Sequence, residues 1–258
     1  MLSYQHLYHA GNLADVHKHA LLAWMLAYLT AKDKPLSYIE THAGRGLYDL
    51  GAPEALKTGE AAQGIDRMLG WFAADHPYRK VVEAVRADEG TRVYPGSPMI
   101  AARMLRGEDN AHLAELHPAE HAALAEAMLP WPVHVHKTDG FAKAQSLTPP
   151  MPRRGMLLID PSFETASDYE GMPKFIAQIA RKWNVGIIAL WYPILKDARH
   201  RGMIRELRAA FPEALVSEVG FPPAREGHGM VGSGMFVVNA PWGMAEEAMR
   251  LAGLFKGL

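Results

Sequence analysis

Asp160 and Pro161 close the run Gly155-Met156-Leu157-Leu158-Ile159, and Phe163 follows two residues on. Apolar residues led in by glycine and stopped by Asp-Pro read as a buried strand that ends abruptly. Proline cannot donate to a ladder, so Asp160 is expected to end the strand with its carboxylate projecting past the sheet edge. Ligands of open α/β sheets bind beyond the carboxyl ends of the strands. Acids recur at such ends: Glu115 near the end of a second strand, and Asp139-Gly140 after a third. Glu115 can accept from both hydroxyls of a ribose, and Asp139 from an adenine amine. Thr41-His42-Ala43-Gly44-Arg45-Gly46 follows the first strand directly. Its glycine turn permits close backbone approach to a ligand, with Gly44 the expected contact. Glu115 lies far beyond the usual position about 20 residues after such a turn, which requires an insertion between them.

Hydrophobic periodicity supplies the elements that carry these groups. Strands are expected at 36–40, 112–116, 133–136, 155–159, 185–191, 215–219 and 234–238. Helices are expected from a cap at Asn12 or Asp15 to Thr30, and at 55–72, 78–87, 99–106, 119–128, 139–145, 169–182 and 196–210. The connector 220–232 has no helical period, so the last strand should return antiparallel. The alternation predicts an α/β fold with a seven-stranded, mostly parallel, doubly wound sheet. Residues 1–258 read as one domain, with 47–94 a helical insertion subdomain whose one expected strand is a short one around Arg92-Val93-Tyr94.

A formal charge of −1 means that a polyanion must be met by a local patch. Arg201, Arg205 and Arg208 share one face of the 196–210 helix by spacing. The absence of cysteine removes disulfides and thiolate metal sites and fits a cytoplasmic protein. The apolar run Ala20 to Leu29 is too short to span a bilayer, so a soluble protein with no membrane partner is expected. His17-x-His19 and His134-x-His136 suggest a rival, a metal-dependent hydrolase. No three ligands fall at a recognisable spacing, and no metal is expected.

Asp160-Pro161-Ser162-Phe163 resembles the Asp/Asn-Pro-Pro-aromatic signature of amino-methyltransferases that use S-adenosylmethionine on adenine N6 or cytosine N4. An exocyclic amine is a poor nucleophile because its lone pair is delocalised into the ring. The Asp160 carboxylate and the Pro161 carbonyl would hold both N–H hydrogens and draw the nitrogen towards tetrahedral geometry. Phe163 would stack on the flipped-out base, worth roughly 1–3 kcal/mol.

More of the chain joins that resemblance. Tyr4-x-His6, His9-Ala10-Gly11-Asn12-x-Ala14-Asp15-x-x-Lys18-His19, Thr41-His42-Ala43-Gly44, Tyr94-Pro95-Gly96-Ser97-Pro98, Glu115-Leu116-His117-Pro118, Asp139-Gly140, Leu158-Ile159-Asp160-Pro161, Leu190-Trp191-Tyr192-Pro193 and Ser233-Gly234-Met235 keep their order. Together they are similar to the RlmJ family, bacterial enzymes that make N6-methyladenine in 23S ribosomal RNA. The resemblance implies a Rossmann-like class I methyltransferase, S-adenosyl-L-methionine as donor, 23S ribosomal RNA as partner and a monomer. By motif position it assigns His19, His42, Ser97, Glu115, Asp139 and Gly140 to the cofactor. It makes Asp160 the key acid, with Tyr4, His6 and Lys18 lining the adenosine entry. Ser162-Phe163 stands where family members often have Pro-Tyr; the aromatic face and the Pro161 carbonyl are kept. A catalytically weak RNA-binding module on the same fold is the other rival, and a DNA adenine methyltransferase is disfavoured because no separate DNA-reading segment is visible.

Overall fold

The computed structural model describes residues 5–225, 227 and 229–258. A 3-10 turn, η1 (His6–Tyr8), precedes α1 (Leu13–Thr30), whose cap Asn12 accepts from the Asp15 amide. Helix α1 is buried almost throughout, including Val16, Ala20, Leu21, Leu22, Met25 and Leu26. A helix enclosed on all sides cannot send its polar groups to water. Asp15, His17, Lys18 and His19 must therefore find partners inside the protein.

After β1 (Ser37–Glu40) come β2 (Leu47–Asp49), α2 (Pro53–Thr58), α3 (Glu60–Gln63), α4 (Ile65–Met68), the 3-10 turn η2 (Leu69–Trp71), α5 (Pro77–Glu89) and β3 (Val93–Pro95). Strands β2 and β3 form a separate antiparallel pair with Tyr48 opposite Tyr94. The sequence reading missed β2 because three residues carry too little alternation; its cross-strand partner makes it a strand. The single helix expected at 55–72 is instead broken at two glycines. Gly59 adopts φ 64, and Ile65 N–H donates to Gly11 O at 2.8 Å. A Cβ on Gly64 would lie 2.0 Å from that same oxygen, so backbone-to-backbone approach overrides helix propensity there.

The remainder is α6 (Ser97–Met104), β4 (Asn110–Ala114), α7 (Pro118–Ala127), β5 (Val133–His136), α8 (Gly140–Leu147), β6 (Gly155–Ile159), α9 (Ala166–Lys182), β7 (Ile187–Leu195), α10 (His200–Ala210), β8 (Leu215–Gly220), β9 (Met230–Val238) and α11 (Met244–Phe255). Helix α11 was not anticipated. Strand β7 runs on to Leu195 because β9 pairs with it as far as Met230, which delays α10 to His200. Strand β4 stops at Ala114, leaving Glu115 just beyond the ladder.

The main sheet has the order β5-β4-β1-β6-β7-β9-β8. It is parallel from β5 to β7, and β9 is antiparallel to both β7 and β8. This is the Rossmann-like arrangement of class I methyltransferases, with the seven strands read from the sequence. Period-two alternation explains its two cores. Met156, Leu158, Ala189, Met235 and Val237 face the layer that contains α1 and α11. Leu157, Ile159, Ile188, Leu190 and Phe236 face α9 and α10. Strand order reverses between β1 and β6, which opens a crevice at their carboxyl ends. Among the described residues no helix is long and apolar enough to cross a membrane.

Candidate active site

A cavity of about 320 Å³ occupies that crevice. Asp160 reaches it from the end of β6, and Pro161, Ser162 and Phe163 continue its wall. Lys18 arrives from α1, with Nζ 2.6 Å from Asp160 Oδ2 and 3.2 Å from Asp15 Oδ1. Burial works against the lysine's charge, but Asp160 and then Asp15 outweigh it and hold Lys18 above its ordinary range. Asp15 is opposed by burial as well, yet His6 and Lys18 keep it well below the usual carboxylate range. His6 Nε2 lies 2.8 Å from Asp15 Oδ2, which ties η1 to the lysine-bearing face of α1.

The turn after β1 forms the next wall. Gly44 takes φ 63, and a Cβ there would fall 2.4 Å from the Tyr48 hydroxyl. Its N–H donates to Glu115 Oε2 at 2.8 Å, while His117 N–H donates to Glu115 Oε1 at 2.7 Å. The carboxylate thus bridges the loops after β1 and β4. His42 packs edge-on against Phe141, and burial lowers its basicity. Arg45 grips Glu120 with two nitrogens and secures the turn to α7.

Ser97 and His19 line the same cavity from deeper positions. The Ser97 hydroxyl donates to Glu40, a fully buried acid at the end of β1. Tyr38 O–H donates to the other Glu40 oxygen at 2.8 Å, and burial pushes the carboxyl up to about 8. His19 Nδ1 is 2.6 Å from the Tyr94 hydroxyl, whereas its buried Nε2 makes no hydrogen bond among the described residues. Burial lowers this histidine to about 3, so it stays neutral.

Aromatic residues close the remaining side. Phe163 sits at φ 52, in the left-handed region that β-carbon sterics disfavour. It is held there by Tyr169 at 4.6 Å and Trp191 at 6.3 Å between ring centroids. Lys18 Nζ lies 5.4 Å from the Trp191 ring centre, and Trp191 Nε1–H donates to Ser233 Oγ at 2.9 Å.

Asp160, Pro161, Phe163, His19, His42, Gly44, Ser97, Glu115, His6 and Lys18 thus line one cavity. Asp139 and Gly140 stand outside that lining. Asp139 caps α8 by accepting from Ala142 N–H at 2.7 Å, and a Cβ on Gly140 would meet Thr41 O at 1.8 Å. Tyr4 lies outside the described residues. His17 and His19 diverge, His17 lying between the hydroxyls of Ser233 and Ser217 at 2.9 and 3.0 Å. His134 and His136 do share a face, but they stack with His112 rather than converge on a point. Asp15 and Trp191 line the cavity as well, and Glu40 stands behind Ser97; the sequence reading assigned none of the three to the site. Glu40 met the strand-end criterion used for Asp160; Asp15 carried the signal of an acid on an otherwise enclosed helix.

The family model described as "Ribosomal RNA large subunit methyltransferase D, RlmJ" matches residues 33–256. Ribosomal RNA large subunit methyltransferase J of Escherichia coli (strain K12) is 40% identical over 254 residues, covering 96% of this chain and 90% of the relative. Its namesake from Haemophilus influenzae is 38% identical over 250 residues, covering 94% and 88%. The crystal structure of protein LPL1258 from Legionella pneumophila superposes with a TM-score of 0.87 at 35% identity, covering 95% of this chain and 92% of that one. A family match across most of the chain, with relatives aligned nearly end to end, gives one conclusion: the chain belongs to the RlmJ family of ribosomal RNA large subunit methyltransferases.

Proposed function

We propose that this protein transfers a methyl group from S-adenosylmethionine to N6 of an adenine in 23S ribosomal RNA, acting as a monomer in the cytoplasm. The observation that carries the reading is Asp160-Pro161 at the end of β6, inside a cavity at the sheet's reversal point. In the same reading residues 1–258 act as one methyltransferase domain, with 47–94 as its helical insertion subdomain.

The lining suits a nucleoside that carries a positive charge. Glu115 offers carboxylate oxygens to a ribose, Gly44 leaves the turn open to close approach, and the His19 Nε2 atom is buried without a hydrogen bond among the described residues. His42 and Ser97 complete the contacts within the cavity; Asp139 and Gly140 extend them beyond it. When bound, S-adenosylmethionine supplies a methyl carbon on a sulfonium that departs as a neutral thioether.

On the substrate side, Asp160 and the Pro161 carbonyl accept the two N–H hydrogens of the adenine amine. The amine lone pair, withdrawn from the ring, would be free to take the methyl carbon as its bond to sulfur breaks, and the nitrogen would pass one proton to the Asp160 carboxylate and on to water. Phe163 stacks on the base, and Tyr4, His6 and Lys18 shape its entry. Such preorganised acceptors act where charge develops on nitrogen.

The test uses 23S ribosomal RNA from a strain lacking a family member, incubated with purified protein and methyl-tritiated S-adenosylmethionine. Label should appear as N6-methyladenosine after nucleoside digestion. Label on another nucleoside, or none, overturns the reading.

A further inference from the structure

Asp15 is a buried carboxylate on which four groups converge. Its Oδ2 lies 2.8 Å from His6 Nε2 and accepts from Gly11 N–H at 2.9 Å. Its Oδ1 is 3.2 Å from Lys18 Nζ and 3.8 Å from His19 Nε2. At 2% exposure, such an ion is costly unless its neighbours compensate it.

The compensation has a particular shape. One ammonium stands between two carboxylates, closer to Asp160 than to Asp15. A lysine has three N–H donors, so it can serve both acids together. Among the described residues Asp160 is hydrogen-bonded at Oδ2 alone. With Lys18 anchored from behind, Oδ1 remains available to a target amine. Without the second carboxylate, no ion pair on α1 draws the ammonium away from Asp160, where it would compete for the acceptor that the reaction uses.

We propose that Asp15 is a positioning residue for methyl transfer, which shares the Lys18 ammonium with Asp160 so that one Asp160 oxygen stays open to the target amine. The inference rests on the amine-methylation reading above. The charged and titratable groups around Lys18 are Asp15 and His19 on its own helix, Asp160 beyond β6, Glu40 at the end of β1, and His6 from η1. Since burial opposes the lysine's charge, loss of Asp15 should bring its titration down.

The experiment compares wild type, Asp15→Asn, Asp15→Glu, Lys18→Met and the Asp15→Asn/Lys18→Met double variant. Asp15→Asn should lower kcat about tenfold or more while KM for RNA and affinity for S-adenosylhomocysteine stay within about threefold. The alkaline limb of its pH–rate profile should move to lower pH. The Lys18 ¹³Cε resonance, assigned with Lys18→Met, should begin to titrate at lower pH than in wild type. In the Lys18→Met background, Asp15→Asn should cost less than about twofold further, because the aspartate acts through the lysine. Asp15→Glu, which restores the charge, should recover the wild-type lysine titration and part of kcat. Wild-type kcat in Asp15→Asn, fully multiplicative losses in the double variant, or an unmoved lysine titration overturns the proposal. If Asp15→Asn does not fold, Asp15→Glu decides alone: a lysine titration below that of wild type overturns it. Wild-type protein that fails to methylate RNA would instead refute the functional reading, and the resonance titration distinguishes the two failures.

Discussion

Tyr169 packs its ring 4.6 Å from that of Phe163, tilted by 45°, and so covers an aromatic residue held at φ 52. A non-glycine residue in that region costs on the order of 1–3 kcal/mol and persists only where its surroundings overdetermine it. Tyr169→Ala should therefore release Phe163, lowering kcat/KM for RNA by about tenfold with S-adenosylhomocysteine affinity within about threefold. Tyr169→Phe keeps the ring and removes a buried hydroxyl that has no hydrogen-bond partner among the described residues, so its Tm should hold or rise. A lower Tm in Tyr169→Phe, or wild-type kinetics in Tyr169→Ala, would contradict this account of the Phe163 wall.

Asp160→Ala removes the carboxylate proposed to hold the target amine. Methyl transfer should fall to background, while calorimetry with S-adenosylhomocysteine gives a Kd within a few-fold of wild type. Lys18 keeps Asp15 as a counter-charge in that variant, so the protein should still fold. Turnover near the wild-type rate would remove Asp160 from the chemistry.

Acid should destabilise the fold through His17 and His19, each lowered from 6.5 to about 3 by burial. The folded protein keeps them neutral, whereas the unfolded chain protonates them below 6.5. Their stabilising contribution is complete above that pH and is lost as pH falls towards 3. Within the window each contributes a slope of about 1.4 kcal/mol per pH unit. Denaturant unfolding between pH 6 and 4.5 should show a shallower slope for His17→Gln by about that amount. Equal slopes would mean that His17 is protonated in the folded protein.

Alkali should act through Glu40, raised from 4.5 to about 8 by burial. The folded state holds this proton while the unfolded chain has released it. That contribution is full below pH 4.5 and is lost as pH rises through 8. Wild-type Tm should therefore carry a declining contribution between pH 6.5 and 8, with a smaller decline in Glu40→Gln. Parallel declines would show that the folded acid is already ionised at neutral pH.

The sequence by itself determined the sheet and much of the site. Near-continuous apolar runs at 155–159, 185–191 and 234–238 already encode a sheet covered on both faces, because opposite faces of one strand can only be buried by two layers. Asp160, Glu115 and Gly44 were legible for a similar reason: each follows a strand, and strand ends in this fold meet at one edge. Tertiary structure decided what depends on contacts between distant segments. No local pattern shows that 55–72 must break, because the cause is the carbonyl of Gly11 pressed against Gly64. Nor does spacing reveal that Asp15 and Asp160 share one lysine, since that follows from enclosing α1 so completely that its charges can be neutralised only from within.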